Sequence, residues 1–178
     1  MNKHFSLLRS MLLIGLCSAA FQSARAEDKF EVAGVHFTKP AKWFSIEPSS
    51  SMRAAQLEVR EGSGKVEVVF FYFGPGGAGG VGANVDRWLG QFQEPKEALK
   101  PKVEEQKING TKVTYVQAEG TFMSGAPFGP KTAVPGSMLF GAIVEGKQGA
   151  IFIKMTGPKK IAEGALQDAR KMVEDALK

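Results

Sequence analysis

The residue pattern that could most readily do chemistry is a glycine-rich run, Gly74–Gly82 (GPGGAGGVG). Its first six residues fit G-x-G-x-x-G, which in dinucleotide-binding folds joins a strand to a helix and holds a pyrophosphate. No acidic residue ends a second parallel strand about twenty positions later, where the ribose contact is expected. No Lys-Ser/Thr pair follows for a P-loop either. We therefore interpret the run as a tight connection, with Gly76, Gly77 and Gly79 as candidate anion-binding positions before a helix.

The segment after this run has the apolar spacing of an amphipathic helix over about 81–92. Trp88 lies on the apolar stripe, so we expect it in the core. Asn84, Arg87 and Gln91 are spaced at i, i+3 and i+7, which predicts that they share the opposite, polar face. This face is either an ordinary solvated surface or one wall of a binding groove.

A second candidate binding element is the segment Gly125–Gly136 (GAPFGPKTAVPG). Three prolines and three glycines in twelve positions predict a long ordered loop rather than regular structure. Such loops are often binding elements. Phe128 and Lys131 are its candidate contact residues, with simple packing the favoured alternative for Phe128.

Catalytic chemistry has little support in the sequence. No serine stands in G-x-S-x-G, and His36, the one histidine outside residues 1–26, makes a poor zinc site by itself. Glu58, Glu67 and Glu119 alternate with apolar residues on strand-like segments, which favours the solvent face. They would serve a hydrolase only if the fold brought two carboxylates within roughly 5–9 Å of each other. We therefore predict no catalytic residue, no metal site and no cofactor.

Residues 1–26 have the pattern of a cleavable signal peptide. A basic start precedes an uncharged run, Met11–Phe21, and small residues then precede a cut between Ala26 and Glu27. A membrane anchor is the alternative, but eleven helical residues span only about 16 Å, roughly half of a hydrocarbon core. A lipoprotein cut at Cys17 is disfavoured because Leu16, rather than a small residue, precedes that cysteine. The sequence thus predicts export to the periplasm or the medium.

Cleavage would change the composition of the chain. It removes the single Cys and three of the 23 basic residues, which leaves 20 basic against 18 acidic residues and a net charge of +2. A cysteine-free chain suits an oxidising compartment. A nearly neutral chain lacks the basic stripe of a nucleic-acid binder, and no membrane span is predicted after cleavage. Residues 27–178 fit one domain.

The elements that must position these residues are mostly strands. The strand segments are 35–38, 43–46, 54–60, 66–73, 103–108, 112–119, 138–145 and 150–156. Asn109-Gly110 predicts a type I′ hairpin. A closing helix is expected over about 159–177, with a buried stripe formed by Ile161, Ala165, Ala169, Met172, Val173 and Ala176. The segment 66–73 is apolar on both faces towards its end, which is typical of a central strand. This order predicts an α+β fold with a mostly antiparallel sheet and helices on both faces, an α/β/α sandwich.

Two resemblances accompany this pattern. Phe71-Tyr72-Phe73-Gly74, the glycine-rich run, Asn84, Arg87-Trp88 and Gln91-Phe92 resemble a pattern in small uncharacterised exported bacterial proteins. The order of elements is similar to the PsbP/Mog1-like fold. That likeness implies an accessory or binding role rather than an enzyme, without assigning any residue to a site.

The leading hypothesis is an exported, non-catalytic binding or accessory protein. Its partner would be an unknown envelope or extracellular protein or a small ligand. An envelope-directed hydrolase with carboxylates that the sequence does not identify, and a purely structural envelope protein, are the alternatives. The hydrolase requires Glu58, Glu67, Glu119 or Glu145 to be paired in a pocket, at least one of them with a raised pKa.

Overall fold

The structure is a computed structural model that describes residues 29–125 and 129–178. The elements in chain order are β1 (Lys29–Val32), β2 (Val35–Thr38), β3 (Phe44–Ile46), β4 (Arg53–Glu61), β5 (Gly64–Tyr72), α1 (Val81–Leu89), α2 (Lys96–Leu99), β6 (Lys102–Ile108), β7 (Thr111–Ser124), β8 (Thr132–Gly146), β9 (Gly149–Pro158) and α3 (Lys159–Ala176).

The main sheet is antiparallel throughout, in the strand order β3-β4-β5-β9-β8-β7-β6. Strands β1 and β2 form a separate hairpin. The β6–β7 turn places Asn109 and Gly110 at positive φ, +44° and +87°, as the type I′ prediction requires. At the outer edge, the first six of the seven residues of β6 are exposed. The α+β class with a mostly antiparallel sheet is confirmed.

One face of the sheet forms a core with α3 and the β1–β2 hairpin. Because side chains alternate along a strand, Val66, Val68 and Phe70 of β5 point to this side and are completely buried. The rings of Phe37 and Phe70 contact each other edge to face, 5.1 Å apart. From α3 the core takes a small-residue stripe close to the predicted one: Ile161, Ala162, Ala165, Ala169, Met172 and Val173.

The opposite face packs against α1 and α2. Trp88, Leu89 and the following Phe92 are buried there with Leu99 of α2. They cover β7, β8 and β9, where Val116, Leu139, Ile143 and Phe152 form the floor. Helices therefore pack on both faces of the sheet, and β5 lies inside it as expected. No helix in the described part of the chain is long and apolar enough to cross a membrane.

Two predicted boundaries are wrong. The helix predicted over 81–92 ends at Leu89 with Gly90 as its C-cap. The N–H groups of Gln91 and Phe92 donate to the carbonyls of Trp88 and Leu89, three residues back, instead of continuing the α-helical ladder. The predicted loop Gly125–Gly136 is strand from Thr132 onward. Strand pairing is possible there because Pro135 and Gly136 fall in a register shift between β7 and β8, where a proline need not donate to the ladder.

Beyond this register shift, the β7–β8 hairpin extends past the end of β9. The ladder between β8 and β9 ends at the pair Ser137–Pro158. We call residues 120–124 and 132–136 the arm. Its Phe122 ring packs edge to face on Phe92, at 5.5 Å. The arm thereby lies against the segment that follows α1.

Candidate functional site

The glycine-rich run forms turns in which the backbone conformation itself requires glycine. Gly77 donates a hydrogen bond to the carbonyl of Gly74 at 3.2 Å. A Cβ at Gly77 would lie 1.8 Å from the carbonyl oxygen of Phe73, and Gly76 and Gly79 have φ of +71° and +75°. These conformations explain the glycines without a ligand. Anion binding by Gly76, Gly77 and Gly79 stays a prediction.

Asn84 does not lie on the exposed polar face, which corrects the placement predicted for it. Its side chain is buried, and its amide donates to the carbonyls of Ala78 at 2.9 Å and Gly80 at 3.0 Å. The amide thus ties the glycine-rich run to the first turn of α1. Asn84 stands four residues before Trp88, so it shares the side of the helix that faces the sheet.

The other candidate residues divide into two groups. Arg87 is exposed on α1, and the glycines lie before the helix begins. Gln91 and Lys131 lie beyond the other end of α1, a nine-residue helix of about 13 Å. Phe128 lies outside the described residues. The structure therefore places Gln91 and Lys131 at the end of α1 that is away from the glycine-rich run.

Gln91 contacts a residue that the sequence pattern did not single out, Lys154. The Lys154 ammonium donates to Gln91 Oε1 at 3.0 Å and lies 5.6 Å from the centre of the Phe122 ring. Lys131 is close enough to act electrostatically on it. In β9, Lys154 stands between Ile153 and Met155, whose side chains enter the core on the α3 side. Alternation therefore directs Lys154 to the α1 side of the sheet.

We call the surface around this ammonium the Lys154 face and define it by Arg53, Gln56, Glu67, Gln91, Phe122 and Lys154. It is the part of the α1 side where β4 and β5 carry polar side chains that α1 and α2 do not cover. Glu67 accepts hydrogen bonds from Arg53 and Gln56, each at 3.3 Å. The carboxylate of this face is therefore already neutralised by its own neighbours.

Lys154 carries the least compensated charge of the face. Near this face, Glu67 pairs with Arg53, and Glu58 pairs with Arg60 and Lys65. None of the ion pairs in the described residues includes Lys154. Burial lowers the pKa of Lys154 to about 8, repulsion by Arg53 and Lys131 adds to this, and the attraction of Glu67 opposes it. A desolvated cation with a pKa this far below its ordinary value is a marker of functional sites.

A shallow open cleft of about 250 Å³ lies beside the Lys154 face, between the arm and the sheet. The arm contributes Phe122 and Val134 to its walls, and the sheet contributes Glu67 and Thr156. Val134 is 37% exposed, so the cleft combines apolar and charged surface.

The carboxylates that a hydrolase would need do not form an acid–base pair. Glu58 and Glu67 are cross-strand neighbours, but hydrogen bonds from Lys65 and Arg60 hold the pKa of the buried Glu58 below its usual value. Glu119 pairs with Lys159 at 2.6 Å. A general acid needs a raised pKa, so the environment of Glu58 opposes that role.

The remaining carboxylate named in the sequence analysis, Glu145, lies 3.9 Å from Lys112. His36 is an exposed residue of β2, 3.8 Å from Glu31. Within residues 29–125 and 129–178, no group of three His, Cys, Asp or Glu residues is placed to hold a metal ion.

The sequence did contain a signal for Lys154. It interrupts an otherwise apolar strand segment, Ala150–Met155 (AIFIKM). A charged residue at a position between buried neighbours is expected to have a specific partner or a function.

Comparison with protein-family models finds no match, and comparison with curated proteins finds none either. Among solved structures, the chain is similar to the solution structure of cyanobacterial PsbP (CyanoP) from Synechocystis sp. PCC 6803. The TM-score is 0.53 at 9% sequence identity, over 89% of this chain and 96% of the other. The fold is therefore PsbP-like, as the order of elements suggested.

Proposed function

We propose that this chain is an exported, non-catalytic binding or accessory protein, and that it holds its partner on the Lys154 face. The observation that carries the proposal is the Lys154 ammonium, whose hydrogen-bond acceptor is the neutral amide of Gln91. It lies next to an open cleft that Glu67 and Phe122 of the same face line. The PsbP-like fold supports an accessory role, and the signal-peptide pattern of residues 1–26 supports export. The partner is an envelope or extracellular protein.

A binding role fits the chemistry of this surface better than hydrolysis does. A hydrolase needs a proton donor with a raised pKa, whereas Lys65 and Arg60 stabilise the charged form of Glu58. Instead, the cations and carboxylates of β4 and β5 form ion pairs on the surface, and the Phe122 ring lines the cleft beside them. Such a surface can select a partner by charge and orient it.

Site-specific photocrosslinking in the producing cells tests the proposal. A benzophenone amino acid replaces Val134 beside the cleft, and the matched control carries it at Val103, which is 49% exposed on the edge strand β6. The proposal expects a discrete crosslinked partner from position 134, weakened by Arg53→Glu, and none of the same mass from position 103. The same product from both positions, or none from position 134, would contradict it.

A further inference from the structure

Resting on the proposed function, we propose that the Lys154 face binds an acidic segment of the partner protein. One carboxylate of that segment would accept hydrogen bonds from Lys154 and lie near Arg53.

The charged side chains of the face are Arg53, Lys154 and Glu67, which leaves one positive charge that an anionic occupant would offset. Arg53 and Gln56 both donate to Glu67, and Arg60 and Lys65 both donate to Glu58. These two carboxylates are thus already engaged, while the group that accepts a hydrogen bond from Lys154 is the neutral amide of Gln91. A carboxylate entering from the cleft would offset a desolvation cost that the folded chain already bears.

The shape of the site favours a polypeptide over a small enclosed ligand. The cleft is open and holds only about 250 Å³, below the roughly 300–1,000 Å³ usual for pockets that enclose small molecules. Phe122 and the partly exposed Val134 offer apolar contact for aliphatic parts of neighbouring residues.

The arm adds a second feature that suits an extended peptide. The ladder between β8 and β9 ends at Ser137, so in the described residues the arm strand 132–136 has a neighbouring strand, β7, on one side only. An exposed strand edge is a template for an added strand, although Pro135 has no N–H to donate and the Val134 carbonyl already accepts from Ser137 Oγ at 2.8 Å. An acidic segment lying along this edge would bring its side chains over the cleft.

Calorimetric titration with peptides tests the inference on the protein purified from its host. The probes are acetyl-(Ala-Glu)₃-amide, the same peptide with Gln for Glu, and free glutamate. The acidic peptide is expected to bind at least about tenfold more tightly than the Gln peptide, and more weakly as salt rises. Lys154→Met should reduce its affinity at least about fivefold. Lys160→Met removes the same charge from an exposed position on α3 (88% exposed) and should change the affinity less than about twofold.

The pH dependence provides a further readout. The charged groups that act on Lys154 are Arg53, Glu67 and Lys131. Affinity for the acidic peptide should fall as the pH rises through about 8 and Lys154 loses its proton. Lys154→Arg, which keeps the charge, should retain binding and lose this pH dependence.

Three results would overturn the inference. They are equal binding of the Glu and Gln peptides, unchanged affinity in Lys154→Met with its fold intact by circular dichroism, and free glutamate binding as tightly as the peptide. If one of them occurs while crosslinking at position 134 still captures a partner, the acidic segment is wrong and the Lys154 face remains the binding surface. If crosslinking fails as well, the proposed function fails with it.

Discussion

The indole of Trp88 occupies the space that a side chain at Gly141 would need. A Cβ atom at position 141 would lie 2.1 Å from Cζ3 of Trp88. Gly141 pairs with Lys154 across the β8–β9 ladder, so this contact sets α1 directly beside the candidate site. The glycine is therefore required for the position of the helix as well as for packing.

Gly141→Ala should lower the free energy of unfolding by about 2–4 kcal/mol, because the added methyl forces the indole and α1 away from the sheet. Urea denaturation followed by tryptophan fluorescence measures this change. Gly82→Ala is the matched control, since Gly82 lies in α1 and a Cβ added to it would meet nothing within 4 Å. It should raise stability by about 0.5–1 kcal/mol through helix propensity. Equal effects of the two substitutions would refute the packing argument.

Lys154 should make stability increase in alkaline solution. Its pKa is about 8 in the folded chain and about 10.4 in an unfolded one. Between these values the unfolded chain binds more protons, so the free energy of unfolding contributed by this group rises with pH. Lys154→Met should remove that rise and raise stability at pH 7 by on the order of 1 kcal/mol.

Urea midpoints of the wild type and of Lys154→Met at pH 7, 8.5 and 10 measure this effect. Titrations of other groups are common to both proteins and cancel in the difference. Lys160→Met should follow the wild type at each pH, because that side chain is 88% exposed. A difference between wild type and Lys154→Met that does not shrink with rising pH would argue against a desolvated ammonium.

Asn84 should contribute to stability rather than to a binding surface. Asn84→Asp keeps the shape but replaces the donor amide with a carboxylate facing the carbonyls of Ala78 and Gly80. It should lower the free energy of unfolding by about 2–3 kcal/mol, because these two carbonyls lose their donor and the buried side chain of residue 84 gains a charge. Arg87→Ala, on the exposed side of α1, should change it by less than about 0.5 kcal/mol. Thermal unfolding by circular dichroism distinguishes the two.

The export proposal predicts a mature chain that begins at Glu27. N-terminal sequencing of protein from the periplasm or the medium checks this start. Ala26→Leu should block cleavage, since the site needs a small residue there, and the uncut chain should accumulate in the membrane fraction. Mature protein that still carries Met1 would be incompatible with a cleaved leader.

Much of the fold could be predicted because local patterns agreed with the tertiary structure. The alternation in β4 and β5, the Asn109-Gly110 turn and the small-residue stripe of α3 each correspond to one element of the structure. The segment 132–136 could not be predicted in this way. Its proline and glycine indicate a loop, but the register shift against β7 accommodates both within a strand.

The candidate site is harder to predict because it depends on pairing between distant strands. Local spacing and composition single out Gln91 and Lys131. Their proximity to Lys154 depends on tertiary packing between segments that are distant in the sequence. The prediction that Asn84 lies on the polar face of α1 was wrong. Asn84 precedes Trp88 by four residues, and residues at this spacing lie on the same side of a helix. A lysine inside the apolar segment Ala150–Met155 is the most specific signal for the site in the sequence.

The outer strand β6 affects the tendency of this protein to aggregate at high concentration. A long strand at the rim of a sheet can recruit another chain and start fibre growth. In β6 the exposed residues include Lys102, Glu104, Glu105 and Lys107, so an incoming copy of the strand would have to desolvate charges and overcome like-charge contacts. The opposite rim, β3, is only three residues long. These two rims therefore resist pairing with another copy of the chain, in contrast to the open edge of the arm.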